Sequence, residues 1–301
     1  MMEISYTPKS GIVVPFMPFL TEKENYDLLA VEKQVNHFIE SKVAGIFVLT
    51  TCGQSGNFSF QENQDLADIV LDTARGKTPV YVGIGRTKEE PDYPSKMLEH
   101  VIEKKADAAV VLCSDMSAEE QVEHFSQLNH YNFPLVAYSL GTQQKQLKKV
   151  EEILVMESVI GMKLTIDVRQ AEAKEYFERV VNLGKPVFMG EDVVLYDGLE
   201  LGARGGVNAI ANLMPETVVA LYDKHFAGNK SKAQELQQSI NTVLDVIYYG
   251  NDAEGHTFDA AAALQCAMFQ RFGFGSVTMR QPKPTYSEKD AEIIKSVLNF
   301  R

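Results

Sequence analysis

Residues 159–165 read VIGMKLT, a short apolar run in which one lysine, Lys163, stands between methionine and leucine. The run has the length of a buried β-strand and ends where the apolar residues end. An ammonium group is costly to bury without a partner. Either the strand ends at Lys163 and the amine reaches water, or the amine lies in a cavity and has a chemical role.

Seven other short apolar runs accompany this one, and segments with helical spacing of apolar residues separate them. None of the runs alternates polar with apolar residues, which is typical of parallel strands covered on both faces. Eight strand–helix units in succession predict an α/β protein with a closed (β/α)8 barrel, a TIM barrel. The predicted strands are 11–15, 45–49, 79–83, 108–113, 134–138, 159–164, 186–189 and 205–208.

The chain after about residue 215 contains no strand-like run and reads as helices at 216–226, 230–249, 257–272 and 287–300. We therefore predict a barrel domain over residues 1–226 and a small helical domain over residues 227–301. An open doubly wound sheet and a pair of α/β domains are the alternatives. The glycine motif at 83–85 lacks a third glycine and a suitably placed acid, so it is a weak dinucleotide-binding signal.

The composition is that of a soluble globular protein, with 45% hydrophobic and 23% charged residues in 301. The net charge of −12 disfavours nucleic acids and anionic membranes as partners. No apolar run approaches the ~20 residues that span a bilayer, and residues 1–10 do not resemble a signal peptide. We therefore expect a cytoplasmic protein. The three cysteines form no CxxC motif and the six histidines are scattered, which disfavours a disulfide framework and a metal site.

Functional side chains follow several of the predicted strands. The carboxyl ends of barrel strands meet at one mouth, so Tyr138 at the end of the fifth strand would lie beside Lys163 at the end of the sixth. Further functional side chains follow the second, seventh and eighth strands. The candidates at the mouth are Thr51, Cys52, Tyr138, Lys163, Gly190, Glu191, Asp192 and Asn208.

This combination of side chains suits carbonyl chemistry. Desolvation disfavours the charged form of an amine, and a neutral amine attacks a ketone carbon to form a Schiff base. A neighbouring phenol, here that of Tyr138, can shuttle protons, and a threonine hydroxyl can hold it. The turn at residues 51–56 exposes backbone N–H groups that suit a carboxylate.

The sequence resembles the dihydrodipicolinate synthase/N-acetylneuraminate lyase family of class I, Schiff-base-forming aldolases. The similarity runs from residue 11 to about residue 285. Seven stretches carry it: VVPF at 13–16, LTTCGQSG at 49–56, PVYVGIG at 79–85, VAYS at 136–139, VIGMK at 159–163, the whole of 190–215, and GFGSVTMRQP at 273–282.

The resemblance implies a role for each matched residue. Lys163 would form the Schiff base, Tyr138 would shuttle protons, and Thr51 would be the relay hydroxyl. Thr51 and Cys52 would bind the carboxylate of a 2-oxo acid, and Val207 would place a backbone carbonyl near the lysine. The family further implies a homotetramer that needs no cofactor and takes a 2-oxo acid and an aldehyde.

The sequence also departs from the family pattern. Thr50, Cys52 and Gln54 replace the glycine, the second threonine and the glutamate of the GTTGE turn. The stretch CSDMSAEE at 113–120 lacks the usual Pro-Tyr pair, and YSLGTQQKQ at 138–146 lacks the arginine that binds aspartate semialdehyde. Cys52 could simply pack the turn.

The acidic and amide groups at Glu191, Asp192 and Asn208 suit a substrate with several hydroxyls, although the two acids could instead cap the following helix. We predict a lyase or aldolase that cleaves or forms a 2-keto-3-deoxy sugar acid or a sialic-acid-like compound. Dihydrodipicolinate synthase, a sugar-acid dehydratase and a non-catalytic 2-oxo acid binder are the alternatives.

Overall fold

The computed structural model describes residues 6–85, 92–113, 116–138, 147–249, 260–280 and 292. Eight parallel strands pair in chain order, and β8 pairs with β1 to close the barrel. The predicted (β/α)8 barrel is therefore confirmed. The strands are β1 Gly11–Pro15, β2 Gly45–Val48, β3 Val80–Gly83, β4 Ala108–Leu112, β5 Leu135–Tyr138, β6 Val159–Leu164, β7 Val187–Met189 and β8 Gly205–Val207.

Helices follow the strands and surround the barrel. The helices are α1 Leu28–Glu40, α2 Phe60–Ala74, α3 Tyr93–Glu103, α4 Ala118–Asn129, α5 Leu147–Leu154, α6 Ala171–Val181, α7 Leu195–Glu200, α8 Pro215–Phe226, α9 Lys230–Tyr249 and α10 Ala260–Phe272. Short 3-10 turns lie at Ser55–Asn57, Asp192–Val194 and Ala209–Asn212. The predicted helix at 287–300 lies outside the described residues except for Glu292, and the division into two domains stays a prediction.

Capping boxes fix the starts of two helices. The Ser117 hydroxyl accepts from the Glu120 N–H, and the Glu120 carboxylate accepts from the Ser117 N–H, at the start of α4. Ser59 and Glu62 form the same reciprocal pair at the start of α2. Each box satisfies N–H groups that a helix leaves without partners at its N-terminus.

The barrel interior is filled by apolar side chains that alternate along the strands with those facing the helices. The inward residues form one cluster: Val13, Phe47, Tyr81, Ala108, Val110, Val136, Ile160, Phe188 and Val207. At the amino end of the strands, the Tyr6 hydroxyl lies 3.1 Å from the Tyr81 hydroxyl and helps to close the barrel. Polar chemistry is consequently concentrated at the opposite end, the mouth of the barrel.

The helices after β8 pack back against the barrel. α9 packs along α8 and beside the 3-10 turn after β7. Arg271 near the end of α10 forms an ion pair with Glu216 of α8 at 3.0 Å. Within the described ranges, no helix combines the length and the hydrophobicity needed to cross a bilayer.

Candidate active site

Lys163 lies at the carboxyl end of β6 with only 8% of its surface exposed. In the strand register it pairs with Tyr138 of β5 and with Phe188 of β7. Its side chain lines a small cavity inside the barrel with apolar neighbours such as Val136 and Val207. Met162 and Leu164 point away from it into the shell between strands and helices. The lysine therefore ends inside the barrel rather than in open solvent.

The lysine and the tyrosine are in direct contact. The Lys163 Nζ atom lies 3.9 Å from the centroid of the Tyr138 ring, a cation–π distance. The ring of Phe47 meets Tyr138 edge-on, with centroids 6.4 Å apart and planes at 90°. Among the described residues the Tyr138 hydroxyl has no hydrogen-bond partner.

A glycine makes room for the lysine. A Cβ atom at Gly190, just after β7, would lie 2.9 Å from the Lys163 Cε atom and 2.1 Å from the Thr165 Oγ1 atom. Both distances are below van der Waals contact, so any larger residue would displace these side chains. Gly190 therefore sets the space between the amine and the Thr165 hydroxyl.

Thr50 shapes the turn between β2 and α2. Its hydroxyl donates to the Phe16 carbonyl oxygen and accepts from the Gly53 N–H, both at 2.9 Å. The Cys52 Sγ atom lies 3.2 Å from the same hydroxyl oxygen and 3.4 Å from the Pro15 carbonyl oxygen. Thr50, which replaces a glycine of the family turn, thus connects β1 to the turn through hydrogen bonds.

Cys52 lies near the amine, whereas Thr51 does not join it. Burial raises the pKa of the Cys52 thiol, opposed by the hydrogen bond with Thr50 and by the positive charge of Lys163. The Thr51 side chain is exposed and has no hydrogen bond to the described residues, so the expected contact with the Tyr138 hydroxyl is not formed. The Thr50 hydroxyl is the one buried within the turn instead, bonded to the Phe16 carbonyl oxygen and the Gly53 N–H.

Two acids follow β7 in different environments. Glu191 is half-buried, and burial raises the pKa of its carboxyl, with the negative charges of Asp192 and Asp167 acting in the same direction. Asp192 is buried, and its carboxylate lies 3.5 Å from the Ile210 N–H after β8. Asp192 therefore links two strand ends, while Glu191 remains partly accessible at the mouth.

Residues 207 and 208 face opposite sides of β8. The Val207 side chain belongs to the cluster inside the barrel. Asn208 is fully buried, and its Oδ1 atom would be 1.9 Å from a Cβ on Gly206, which in turn lies beside Leu195 of α7. Side chains alternate along an extended strand, so the Asn208 amide lies on the helix side. The structure does not bring this predicted substrate-binding amide to the lysine.

Several residues near the mouth were not predicted from the sequence. Thr165 lies two positions after Lys163, and this spacing, which places side chains on the same side of a strand, was a readable signal. Asn212 accepts from the Met17 N–H at 2.9 Å and donates to the Pro15 carbonyl oxygen at 2.7 Å, joining the ends of β1 and β8. No local pattern signals such a long-range contact.

The turn after β7 is held by amides on α9. Gln237 donates to the Asp192 carbonyl oxygen at 3.0 Å and accepts from the Tyr196 N–H at 2.9 Å. Asn241, one helical turn later, donates to the Val193 carbonyl oxygen. This pair of amides four residues apart is the only sequence signal for the contact.

The described ranges contain no metal site: their histidines, cysteines and acids form no cluster of three that could hold an ion.

Comparison with known proteins gives a consistent set of relatives. A sequence profile of the Dihydrodipicolinate synthetase family matches residues 8–299. The 4-hydroxy-tetrahydrodipicolinate synthase of Thermotoga petrophila is 23% identical over 298 residues, covering 96% of each chain. That of Methanothermobacter thermautotrophicus is 22% identical over 249 residues, covering 79% of this chain and 87% of the relative.

Solved structures with the same fold include enzymes of different names. The dihydrodipicolinate synthase of Bacteroides thetaiotaomicron superposes with a TM-score of 0.84 at 24% identity, covering 98% of this chain and 99% of the other. The sialic acid aldolase of Ruminococcus gnavus superposes with a TM-score of 0.83 at 17% identity, covering 97% of this chain and 97% of the other. At these identities the likeness shows the fold, while the profile match extends over nearly the whole sequence. The chain therefore belongs to the dihydrodipicolinate synthetase family.

Proposed function

We propose that this protein is a Schiff-base-forming lyase or aldolase that acts on a pyruvate-type 2-oxo acid. The observation that carries the proposal is the Lys163 amine, buried at the mouth end of β6 and 3.9 Å from the centroid of the Tyr138 ring. Membership of the dihydrodipicolinate synthetase family supports it. Incubation with pyruvate followed by borohydride reduction tests it, because a reduced Schiff base leaves a stable adduct that peptide mass spectrometry locates.

The reaction would begin at the lysine. The neutral amine of Lys163 attacks the ketone carbon, and the Tyr138 hydroxyl gives a proton to the oxygen that leaves as water. The resulting protonated imine at C2 acts as an electron sink for the bond between C3 and C4. As that bond breaks, the Tyr138 phenolate takes the proton of the C4 hydroxyl, so that an aldehyde leaves and an enamine remains. C3 of the enamine then takes this proton from Tyr138, and water hydrolyses the imine to the 2-oxo acid and free Lys163. Tyr138 accepts and returns these protons, since its ring contacts the amine at 3.9 Å.

The β2–α2 turn is the proposed site for the carboxylate of the 2-oxo acid. The thiol of Cys52 lies at the end of this turn nearest the amine, and its raised pKa keeps it a neutral hydrogen-bond donor rather than a repelling anion. Backbone N–H groups of a tight turn suit an anion. Because the Thr51 side chain is exposed, we propose that Thr51 contributes to carboxylate binding only through its backbone N–H group. Val207, which lines the same cavity as Lys163, would contribute its backbone carbonyl oxygen near the amine.

A substrate with several hydroxyls fits the rest of the mouth best. The Thr165 hydroxyl, the Gly190 backbone and the half-buried Glu191 carboxylate lie on the β6–β7 side of the amine. Carboxylates and hydroxyls accept hydrogen bonds from sugar hydroxyls. We therefore propose a 2-keto-3-deoxy sugar acid or a sialic-acid-like compound. The dihydrodipicolinate synthase alternative is less favoured because residues 138–146 contain no arginine for a second carboxylate.

Substrate choice can be measured directly. With pyruvate as the donor, we expect sugar-derived aldehydes to be turned over faster than aspartate semialdehyde. A site built to bond hydroxyls rejects analogues without them by up to about 10⁴-fold. A coupled assay comparing kcat/KM for both aldehyde classes decides the question. Preference for the semialdehyde would contradict the proposed substrate class while leaving the Schiff base intact.

The Gly190→Ala variant tests the geometry around the amine. The added methyl group must displace Lys163 Cε and the Thr165 hydroxyl, and a misplacement of this kind can cost about 10²-fold in rate. We expect adduct formation with pyruvate to slow by about that factor, while the thermal unfolding midpoint changes little. An unchanged rate would show that the side chains have room to move and that Gly190 does not limit the site.

A homotetramer in the cytoplasm remains part of this proposal, as the resemblance implies. Light scattering on the purified chain measures the number of subunits. A protein that binds pyruvate without forming the adduct would favour the alternative of a non-catalytic 2-oxo acid binder.

A further inference from the structure

The last described segment of the chain, residues 273–280, lies against the β2–α2 turn. The Gln54 side chain connects the two: its Oε1 atom accepts from the Arg280 N–H at 3.0 Å, and its Nε2 atom donates to the Arg280 carbonyl oxygen at 3.2 Å. Gln54 itself adopts the left-handed conformation, with φ +57. One amide thus bonds both backbone groups of a residue 226 positions away.

The Arg280 side chain strengthens the same contact. Its guanidinium group lies 4.4 Å over the Phe58 ring and donates to the Glu62 carboxylate at 2.8 Å and the Asn57 carbonyl oxygen at 3.4 Å. Phe58 and Asn57 belong to the end of the turn, and Glu62 belongs to the first turn of α2. A bond to a carboxylate and a stacked ring are strong contacts for an arginine. Arg280 therefore holds the turn on two sides.

An amide at residue 54 is chemically required for this reciprocal pairing. An amide has both a donor and an acceptor, whereas a carboxylate only accepts. A glutamate at residue 54, as in the family turn, could accept from the Arg280 N–H but would repel its carbonyl oxygen. The change from glutamate to Gln54 is thus matched to the position of Arg280 in this chain.

The turn is also held from the barrel side, where the Thr50 hydroxyl bonds the Phe16 carbonyl oxygen and the Asn63 amide of α2 donates to the Ser55 carbonyl oxygen at 3.0 Å. A small cavity lies between the turn, the loop after β1 and the tail, with Cys52, Gly53, Gln265 and Met279 among its lining residues. The tail itself is fixed, because the Ser276 hydroxyl donates to the Leu20 carbonyl oxygen at 2.6 Å. The bonds with Arg280 therefore hold the turn from the tail side, in addition to those from Thr50 and Asn63.

We propose that Arg280 is a positioning residue for the substrate carboxylate and acts through Gln54 and the β2–α2 turn. The inference rests on the proposed function, in which this turn binds the carboxylate of the 2-oxo acid. The tail would fix the distance between the turn and the Lys163 amine. A loosened turn should weaken the binding of ketones that carry a carboxylate and should leave the intrinsic reactivity of the amine unchanged.

The test compares two ketones in borohydride trapping at Lys163. Pyruvate carries the carboxylate, and hydroxyacetone lacks it. For Gln54→Glu we expect the pyruvate concentration that gives half-maximal trapping to rise by about tenfold or more, since small misplacements have effects of this size. Trapping of hydroxyacetone should stay at the wild-type rate. Arg280→Met keeps the backbone bonds to Gln54 and an unbranched apolar contact with Phe58, and it removes the guanidinium bonds to Glu62 and Asn57. It should show the same selective loss to a smaller extent. Arg75→Met is the matched control, because Arg75 is paired with Asp72 on the surface at the opposite end of the barrel.

The outcomes separate the two proposals. Selective loss of pyruvate trapping in both variants supports the positioning role. Equal losses with both ketones, or wild-type behaviour with both, would overturn it, and a lowered unfolding midpoint accompanying equal losses would assign Arg280 to stability alone. If the wild-type protein forms no adduct with pyruvate at Lys163, the proposed function fails and this inference fails with it.

Discussion

Replacing Lys163 by arginine is expected to abolish the pyruvate adduct and to lower lyase activity by about 10⁴-fold or more, equivalent to roughly 5 kcal/mol of activation free energy. Guanidinium remains protonated at all accessible pH values and offers no electron pair to a ketone carbon. The positive charge near the Tyr138 ring is retained, so the loss would reflect chemistry. Intact-protein and peptide mass spectrometry after borohydride reduction measure the adduct.

Lys185 provides a matched control for this substitution. Its amine donates to the Val159 carbonyl oxygen at 2.7 Å, at the start of the same strand that carries Lys163 at its end. Lys185→Arg should keep that bond, the adduct and the activity. Wild-type labelling spread over several surface lysines, or an Lys163→Arg protein that still forms the adduct, would contradict the assignment of Lys163 as the nucleophile.

The barrel was predictable because its strands carry their own signal. A parallel strand buried on both faces needs apolar residues at nearly every position, and the run at β6 is apolar from Val159 to Leu164 except for Lys163, with all six residues buried. Helices with one apolar stripe separate such runs, so the order of elements leads to the closed sheet. The strand bounds match or differ by one residue at one end, because caps and turns, not apolar residues, decide where an element stops.

Part of the site follows from the same reasoning. Neighbouring strands in a barrel that is closed in chain order place their ends together, so Tyr138 and Lys163 had to be adjacent once the fold was known. The side of the strand on which a residue points was harder to infer. Asn208 was expected at the mouth, yet alternation after Val207 places its amide toward α7.

The rest of the site depends on backbone bends and long-range contacts. Thr50 rather than Thr51 is buried in the β2–α2 turn. Leu49 before it adopts φ +59, and nothing in a leucine signals that conformation. Gln54 meets Arg280 across 226 positions, and Asn212 meets Met17 across 195. Such pairs are formed by the folded chain and have no periodicity, so only the three-dimensional structure reveals them.

Replacing Tyr138 by phenylalanine is expected to lower the catalytic rate by about 10²–10⁴-fold, or roughly 3–5 kcal/mol of barrier, the usual contribution of a positioned acid–base group. The variant keeps the ring on which the Lys163 amine lies and the edge-on contact with Phe47. It removes only the hydroxyl. The Schiff base with pyruvate should therefore still form, more slowly, while carbon–carbon bond cleavage suffers most. Single-turnover kinetics separate the two steps.

Tyr131→Phe is the control for loss of a tyrosine hydroxyl, since the Tyr131 hydroxyl bonds Glu99 on the surface at 3.1 Å. It should leave both steps unchanged. Wild-type rates in both steps for Tyr138→Phe would show that the ring only packs against the lysine. The proton carrier would then be sought at Glu191, the half-buried carboxyl at the mouth whose pKa burial raises. A raised carboxyl pKa moves ionisation toward neutral pH, where a group can both give and take protons. In that case Glu191→Gln, and not Tyr138→Phe, would lower the rate of cleavage.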